Sequence, residues 1–320
     1  MQTILIAVNE FTDAHVERIN HAAAGWAKII RIDQSADQSV YDDALNKADI
    51  VVGWPRAQSL LHSPVRFLQL CSAGYDPYLG ISLDKKEGFV LCNSRGVFSV
   101  PAAEQTIAMM LALTRRFCLH IREQPQHIWR RAGEYRIVDG TTMCVVGMGS
   151  IGHAIAERCA GLNMKVIGVT RTGKEEVKPP LSKVFAIDAL GDALALADHV
   201  VLSIPSSPQT DGLFDEAMFR RMKQGSCFYN VGRGSLVVEA DLVKVIKEGH
   251  LWGAGLDVFA TEPLPKDSPL WDMENVVIAP HSGGRYVQEF DSLCELFVGN
   301  LERYQKGEQL VNRIDLSRIR

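Results

Sequence analysis

The sequence has no apolar run of the roughly 18–20 residues needed to span a bilayer. Its longest apolar stretch, Thr106 to Thr114, is closed by Glu104 on one side and by Arg115 and Arg116 on the other. The opening MQTILIAVNEF lacks a basic start and a long apolar core, so it reads as a first strand and not as a secretory leader. No strong charge of either sign is present: 34 Lys and Arg stand against 38 Asp and Glu, a net charge of −4. That gives no electrostatic footprint for wrapping nucleic acid. No CxxC pair occurs among the seven cysteines, at 71, 92, 118, 144, 159, 227 and 294. Scattered and odd in number, they argue against zinc or any other metal centre and for a reducing, cytoplasmic setting. They read as small buried hydrophobes. Internal repeats and Ser/Gly-rich tracts are also missing.

What is present is an ordinary globular composition, 47% hydrophobic and 22% charged, over 320 residues. That length suits two domains of roughly 150 residues. Short apolar runs at Ile4–Val8, Ile50–Val52, Phe67–Leu70 and Phe89–Cys92 read as strands. A helix-period segment follows from Pro101 to Phe117. A second series of runs then begins: Met143–Val146, Lys165–Val169, His199–Ile204, Cys227–Val231, Gly253–Val258 and Val276–Ala279. Continuous apolar runs of this length suit strands buried on both faces of a parallel sheet. The expected fold class is therefore α/β, with two doubly wound, Rossmann-like parallel-sheet domains and a cleft between them. The expected boundaries are residues 1–99 plus 287–320 for one domain, and 100–286 for the other.

Val145-Val146-Gly147-Met148-Gly149-Ser150-Ile151-Gly152 is a GxGxxG set after a strand and before a helix. In that context Gly147 permits a tight turn. Gly149 lets backbone approach a pyrophosphate, and Gly152 lets the helix pack on the strand. The helix N-terminus offers free N–H groups to the phosphates; the alternative is a tight turn without ligand. An NAD site usually places an acid about 20 residues on, for the ribose 2′-hydroxyl. From Arg158 to Lys174 there is none. Thr170-Arg171-Thr172 and Lys174 stand there instead, which fits the 2′-phosphate of NADP. If those are merely solvated loop charges, NAD stays possible.

Arg233, Asp257, Glu262 and His281 follow the last three expected strands. Ligands of open parallel sheets bind outside the strand carboxyl ends, so these residues converge where a nicotinamide would lie. Arg233 is a fixed fork for a carboxylate or carbonyl oxygen. His281 can give or take a proton, and Glu262 would stabilise its imidazolium. Singly, each has a plainer reading: a capped loop histidine, a surface arginine, a turn acid before Pro263.

Together with GMGSIG, the segments NVGRGSLVVEADLVKVIKEGHLWGAGLDVFATEPLP and APHSGG make the chain resemble the D-isomer-specific 2-hydroxyacid dehydrogenases, which include glyoxylate/hydroxypyruvate reductases. The likeness covers nearly the whole chain. It implies that Arg233, Glu262 and His281 are catalytic: substrate-binding arginine, partner acid and general acid/base. It implies that Asp257 meets the nicotinamide carboxamide. Thr106, Ser150, Ile151, Val231, Gly232, Ser282, Gly283 and Gly284 would line the cofactor. The first domain becomes a flavodoxin-like substrate domain, in which Ala73 and Gly74 of Leu70–Asp76 offer backbone N–H groups to a substrate carboxylate; from the residues alone, a plain strand-to-helix turn reads equally well. Asn93–Gly96 resembles the family's hinge segment. Ser203 stands where many members carry histidine.

The activity implied is NADPH-dependent reduction of a small 2-oxo acid to the D-2-hydroxy acid, in a homodimer. Tyr75 and Trp129 would shape the side-chain pocket, or Trp129 would be a buried interface aromatic. Two rivals share the resemblance. A formate dehydrogenase has no proton to deliver, and those relatives place Gln where Glu262 stands. A nucleotide-sensing corepressor can retain the Arg-Glu-His set, but no partner-docking tail is evident here.

Overall fold

The structure is a computed structural model that describes residues 1–131 and 133–318. It divides into two compact units: residues 1–98 with those from 286 onward, and Ser99–Arg285.

The first unit holds a five-stranded parallel sheet of β1 (Gln2–Ala7), β2 (Ala27–Arg31), β3 (Ile50–Gly53), β4 (Phe67–Gln69) and β5 (Val90–Cys92), in the order β2-β1-β3-β4-β5. Successive strand residues point to opposite faces, so each strand feeds two cores. Ile4, Ile6, Val52 and Phe67 meet Ile19, Phe297 and Leu301 of the helices Asp13–Ala23 and Glu289–Gln305 on one face. Leu5, Val51, Leu68 and Leu91 meet Leu45, Leu60 and Tyr78 on the other. Each such side chain contributes about 1.5–3 kcal/mol by leaving water. Polar contacts hold the returning C-terminal helix: His15 Nε2 lies 2.8 Å from Asp291 Oδ1, and Asn300 Nδ2 donates to Gln69 Oε1 at 2.8 Å.

The second unit holds a seven-stranded sheet of β6 (Thr142–Val146), β7 (Lys165–Thr170), β8 (Leu181–Ala186), β9 (His199–Leu202), β10 (Ser226–Asn230), β11 (Leu251–Leu256) and β12 (Val276–Ile278). Its order is β12-β11-β10-β9-β6-β7-β8, all parallel. The chain leaves β6 toward β7 and β8, then returns to β6's other side with β9. That reversal is the topological switch point, where an open α/β sheet leaves a crevice at its carboxyl edge. Helices Ser99–Thr114 and Ser150–Gly161 cover one face, burying Met109, Met110, Leu113 and Ile155 against Met143, Val145 and Val201.

Two features differ from the sequence-based expectation. The edge strands β2 and β8 lie outside the predicted runs. Both are largely half-buried or exposed and mix charged with apolar residues, as a strand with a neighbour on one side only can. The helix expected to run to Phe117 ends at Thr114, since Arg116 takes a left-handed φ of 60°, and a second helix covers Phe117–Glu123. Among the described residues, no helix is long and apolar enough to cross a membrane.

Candidate active site

The glycine loop sits between β6 and the helix Ser150–Gly161. Gly147 has φ 104°, and a Cβ there would stand 2.6 Å from Ile204 Cγ2. A Cβ on Gly152 would fall 1.9 Å from Gly147 O, so helix and loop touch only because this residue has no side chain. Gly149 is different: a Cβ there would meet nothing within 4 Å. Its side is open, as a cradle for a ligand must be. Among the described residues the N–H groups of Ser150 and Ile151 donate to no protein acceptor, while His153 N already reaches Gly149 O at 3.0 Å. Open backbone donors at a helix N-terminus beside a side-chain-free loop fit a pyrophosphate.

At the end of β7, Thr170 is buried while Arg171, Thr172 and Lys174 are exposed. Gly173 N donates to Thr170 Oγ1 at 2.9 Å, and the Thr170 hydroxyl hydrogen-bonds the Glu175 carboxylate. That hydroxyl, then Glu175's own backbone N–H, holds the Glu175 carboxyl below its usual range, with Arg171 adding to the effect. A carboxylate therefore does stand at this strand end. Sequence reading missed it because it lies five residues past the strand and returns through a glycine turn.

Three neighbouring strands, β10, β11 and β12, deliver the candidate catalytic groups from their carboxyl ends. After β10, Gly232 N donates to Asn230 Oδ1 at 3.0 Å and Asn230 Nδ2 to Arg233 O at 2.9 Å. This tight turn fixes Arg233, whose Nη1 donates to Gly232 O at 2.8 Å. After β11, Glu262 Oε1 accepts from Phe259 N at 3.0 Å, and Oε2 lies 2.7 Å from His281 Nδ1. His281 itself has a left-handed φ of 51°, an uncommon state for a non-glycine residue that costs about 1–3 kcal/mol. It is held there by His281 N donating to Asp257 O at 2.8 Å. Both Asp257 carboxylate oxygens accept backbone N–H groups, of Ser282 and Gly283, each at 2.9 Å. Burial pushes the Asp257 carboxyl above the usual carboxylate range, against the pull of those two donors and of His281. A Cβ on Gly283 would sit 2.6 Å from Asp257 Oδ2, so the turn from His281 to Gly284 requires glycine there.

The consequence for proton chemistry is direct. An ionised Glu262 can only accept, so Nδ1 of His281 carries hydrogen. Nε2 makes no hydrogen bond among the described residues, and the ring is half-exposed. Nε2 is thus the atom free to exchange a proton with a ligand.

A profile of the D-isomer specific 2-hydroxyacid dehydrogenase NAD binding domain matches residues 107–283, which contain the glycine loop and the Arg233, Glu262 and His281 turns. The chain belongs to this dehydrogenase family. A curated relative, the glyoxylate reductase of Pyrococcus horikoshii, is 34% identical over 261 residues, 78% of this chain and 77% of the relative. A D-isomer specific 2-hydroxyacid dehydrogenase family protein from Aeromonas salmonicida superposes with a TM-score of 0.83 at 34% identity, covering 98% of this chain and 99% of that one. An NADPH-dependent glyoxylate/hydroxypyruvate reductase from Sinorhizobium meliloti, solved with NADP and sulfate, gives 0.81 at 25% identity over 100% of both chains. As a family member the chain is an NAD(P)-dependent oxidoreductase that handles 2-hydroxy acids and their 2-oxo counterparts.

Other residues of this dehydrogenase fall partly as the sequence leads one to expect and partly elsewhere. Thr106 is fully buried and donates to Ala102 O at 2.8 Å, which leaves it no surface for a ligand. Ser203 donates to Gly147 O at 2.7 Å, so it braces the glycine loop. Trp129 is 99% exposed in this chain, not buried. All seven cysteines are free thiols, six of them buried.

In the first unit, the loop after β4 is held by its carbonyls. Asn93 Nδ2 donates to Ala73 O at 2.6 Å and Ser72 Oγ to Gly74 O at 2.7 Å. The Ala73 and Gly74 N–H groups donate to no protein acceptor among the described residues. Two open donors on adjacent residues suit one carboxylate.

Proposed function

We propose that this dehydrogenase reduces a small 2-oxo acid of the glyoxylate or hydroxypyruvate kind to the D-2-hydroxy acid, with NADPH. The observation that carries the reading is the His281–Glu262 pair at 2.7 Å, placed with Arg233 at the carboxyl edge of the sheet that bears the glycine loop. A bound reduced nicotinamide supplies the hydride. The Arg233 guanidinium binds substrate oxygen and offers positive charge where negative charge develops. His281 Nε2 delivers the proton to the carbonyl oxygen, and Glu262 stabilises the imidazolium and fixes the ring through Nδ1. Asp257 acts by positioning: it holds the Ser282–Gly283 backbone and hence the histidine. The Ala73 and Gly74 N–H groups take the substrate carboxylate in the first unit.

The cofactor would lie along Gly147, Gly149, Ser150, Ile151 and Gly152, and reach Val231, Gly232 and the turn from Ser282 to Gly284. Arg171, Thr172 and Lys174 favour a 2′-phosphate, because Glu175 is already engaged by Thr170. Glu175 itself supports a second reading, in which NADH is accepted through its carboxylate. Exposed Phe117, Ile121, Ile128 and Trp129 support a homodimer, tested by light scattering of the wild type and of Trp129→Ser.

The test of the activity is a panel of glyoxylate, hydroxypyruvate, pyruvate and bulkier 2-oxo acids with each reduced nicotinamide. Turnover of the small acids with a higher kcat/KM for NADPH is expected. No turnover of any 2-oxo acid, together with stoichiometric capture of a protein partner, favours a nucleotide-sensing binding protein.

A further inference from the structure

A polar cavity lies at the amino edge of the second unit's sheet, opposite the candidate active site. It encloses about 510 Å³ and is lined by Arg116, Arg136, Gln224, Gly225, Trp252 and Glu274 among others. Gly225 immediately precedes β10 and Trp252 is the second residue of β11. The cavity therefore sits at the amino ends of strands whose carboxyl ends carry Arg233, Asp257 and His281. Strands of this length separate the two places by roughly 15–20 Å.

Three observations single out Arg116. Its backbone is left-handed, with φ 60°, a state that a non-glycine residue holds only when its surroundings impose it. Its Nε is buried without a hydrogen-bond partner, a condition shared among the described residues only with Tyr41 Oη and Ser99 Oγ. Its guanidinium makes no ion pair among the described residues, and it lies 5.8 Å from the Trp252 ring centroid. Arg136 lies 4.4 Å from the same ring, so the two guanidiniums are no more than roughly 10 Å apart. Arg136 is partly compensated, by Glu134 at 2.9 Å and by the Gly225 carbonyl. Arg116 is not. Two cations gathered on one indole beside a polar cavity, one of them with no carboxylate partner among the described residues, suit an oxyanion.

We propose that this cavity binds a phosphate group, free or on a small hydroxylated ester. Arg116 and Arg136 take the phosphate oxygens. Gln224 and the Glu274 carboxylate take ester hydroxyls. The site is separate from the nucleotide loop and stands whether or not the proposed activity does.

The test is calorimetric titration of the whole protein, saturated with NADP so that its nucleotide site is filled, at constant ionic strength set with chloride. Inorganic phosphate and glycerol 3-phosphate are the probes. Saturable binding is expected, weakened about tenfold or more in Arg116→Gln and Arg136→Gln. Tighter binding of the ester, reduced by Glu274→Gln, assigns the site to an ester; equal affinities assign it to free phosphate. Wild-type crystals soaked in selenate give a readout independent of the variants, with an anomalous peak expected beside the Arg116 guanidinium. No saturable binding, unchanged affinity in both arginine variants, or no peak at Arg116 overturns the proposal.

Discussion

Replacing each of three glycines by alanine separates the fold from the cofactor cradle. At Gly152 the new Cβ stands 1.9 Å from Gly147 O, against 3.4 Å for ordinary contact. The loop must open by about 1.5 Å, an overpacking that costs roughly 1–3 kcal/mol of stability and moves the phosphate donors. Gly152→Ala should therefore lose both thermal stability and cofactor affinity. At Gly149 nothing of the protein lies within 4 Å, so Gly149→Ala should fold as the wild type does. If that open side is the pyrophosphate's place, the methyl group forfeits at least one charged hydrogen bond. Such a bond is worth about 1.5–3 kcal/mol, or roughly 10- to 150-fold in Kd. Gly161, at the far end of the same helix, also has no neighbour, and alanine there should be neutral or stabilise by up to about 1 kcal/mol. Thermal melts and NADPH titration by fluorescence read both quantities. Wild-type affinity in a well-folded Gly149→Ala refutes the reasoning, because the cradle would then hold no ligand.

Arg233→Lys keeps the charge but loses the fork, and should lower kcat/KM for the 2-oxo acid by about 10- to 100-fold with NADPH affinity unchanged; steady-state kinetics check this. Arg171→Ala should weaken NADPH by about tenfold and leave NADH nearly unaffected, while Glu175→Gln should shift the ratio the other way; direct binding of both nucleotides measures it. Burial holds the imidazole of His199 at about 4, below the 6.5 of an unhindered histidine, despite nearby Asp198, and its Nδ1 lies 3.1 Å from Tyr229 Oη. The unfolded chain then binds that proton more tightly than the folded one. Stability from the neutral buried ring is complete above 6.5 and falls by about 3 kcal/mol as pH drops to 4. Melts across that range should show the loss, and His199→Gln should flatten it.

Much of this was legible in the residues for a physical reason. Central strands such as Ile50–Gly53 and His199–Leu202 are buried on both faces, so they appear as unbroken apolar runs. The edge strands Ala27–Arg31 and Leu181–Ala186 mix charge with apolar residues and left no such trace. The glycine loop was readable because Gly147 and Gly152 answer steric demands that a side chain would break, while Gly149 keeps the loop's open side clear. The Arg233, Glu262 and His281 turns were readable because each follows a strand. The role of Glu175 was not, since it depends on a turn folding back to Thr170. Nor was the burial of Thr106, because a hydroxyl inside a helix can satisfy itself on its own backbone.

The account rests most heavily on His281 Nε2 as the proton donor. The direct measurement is single-turnover reduction of glyoxylate by His281→Ala and by the wild type, each preloaded with NADPH whose binding is measured separately. A fall in rate of about 10²- to 10⁴-fold with unchanged NADPH affinity is the predicted result. A variant that keeps the wild-type rate would contradict it.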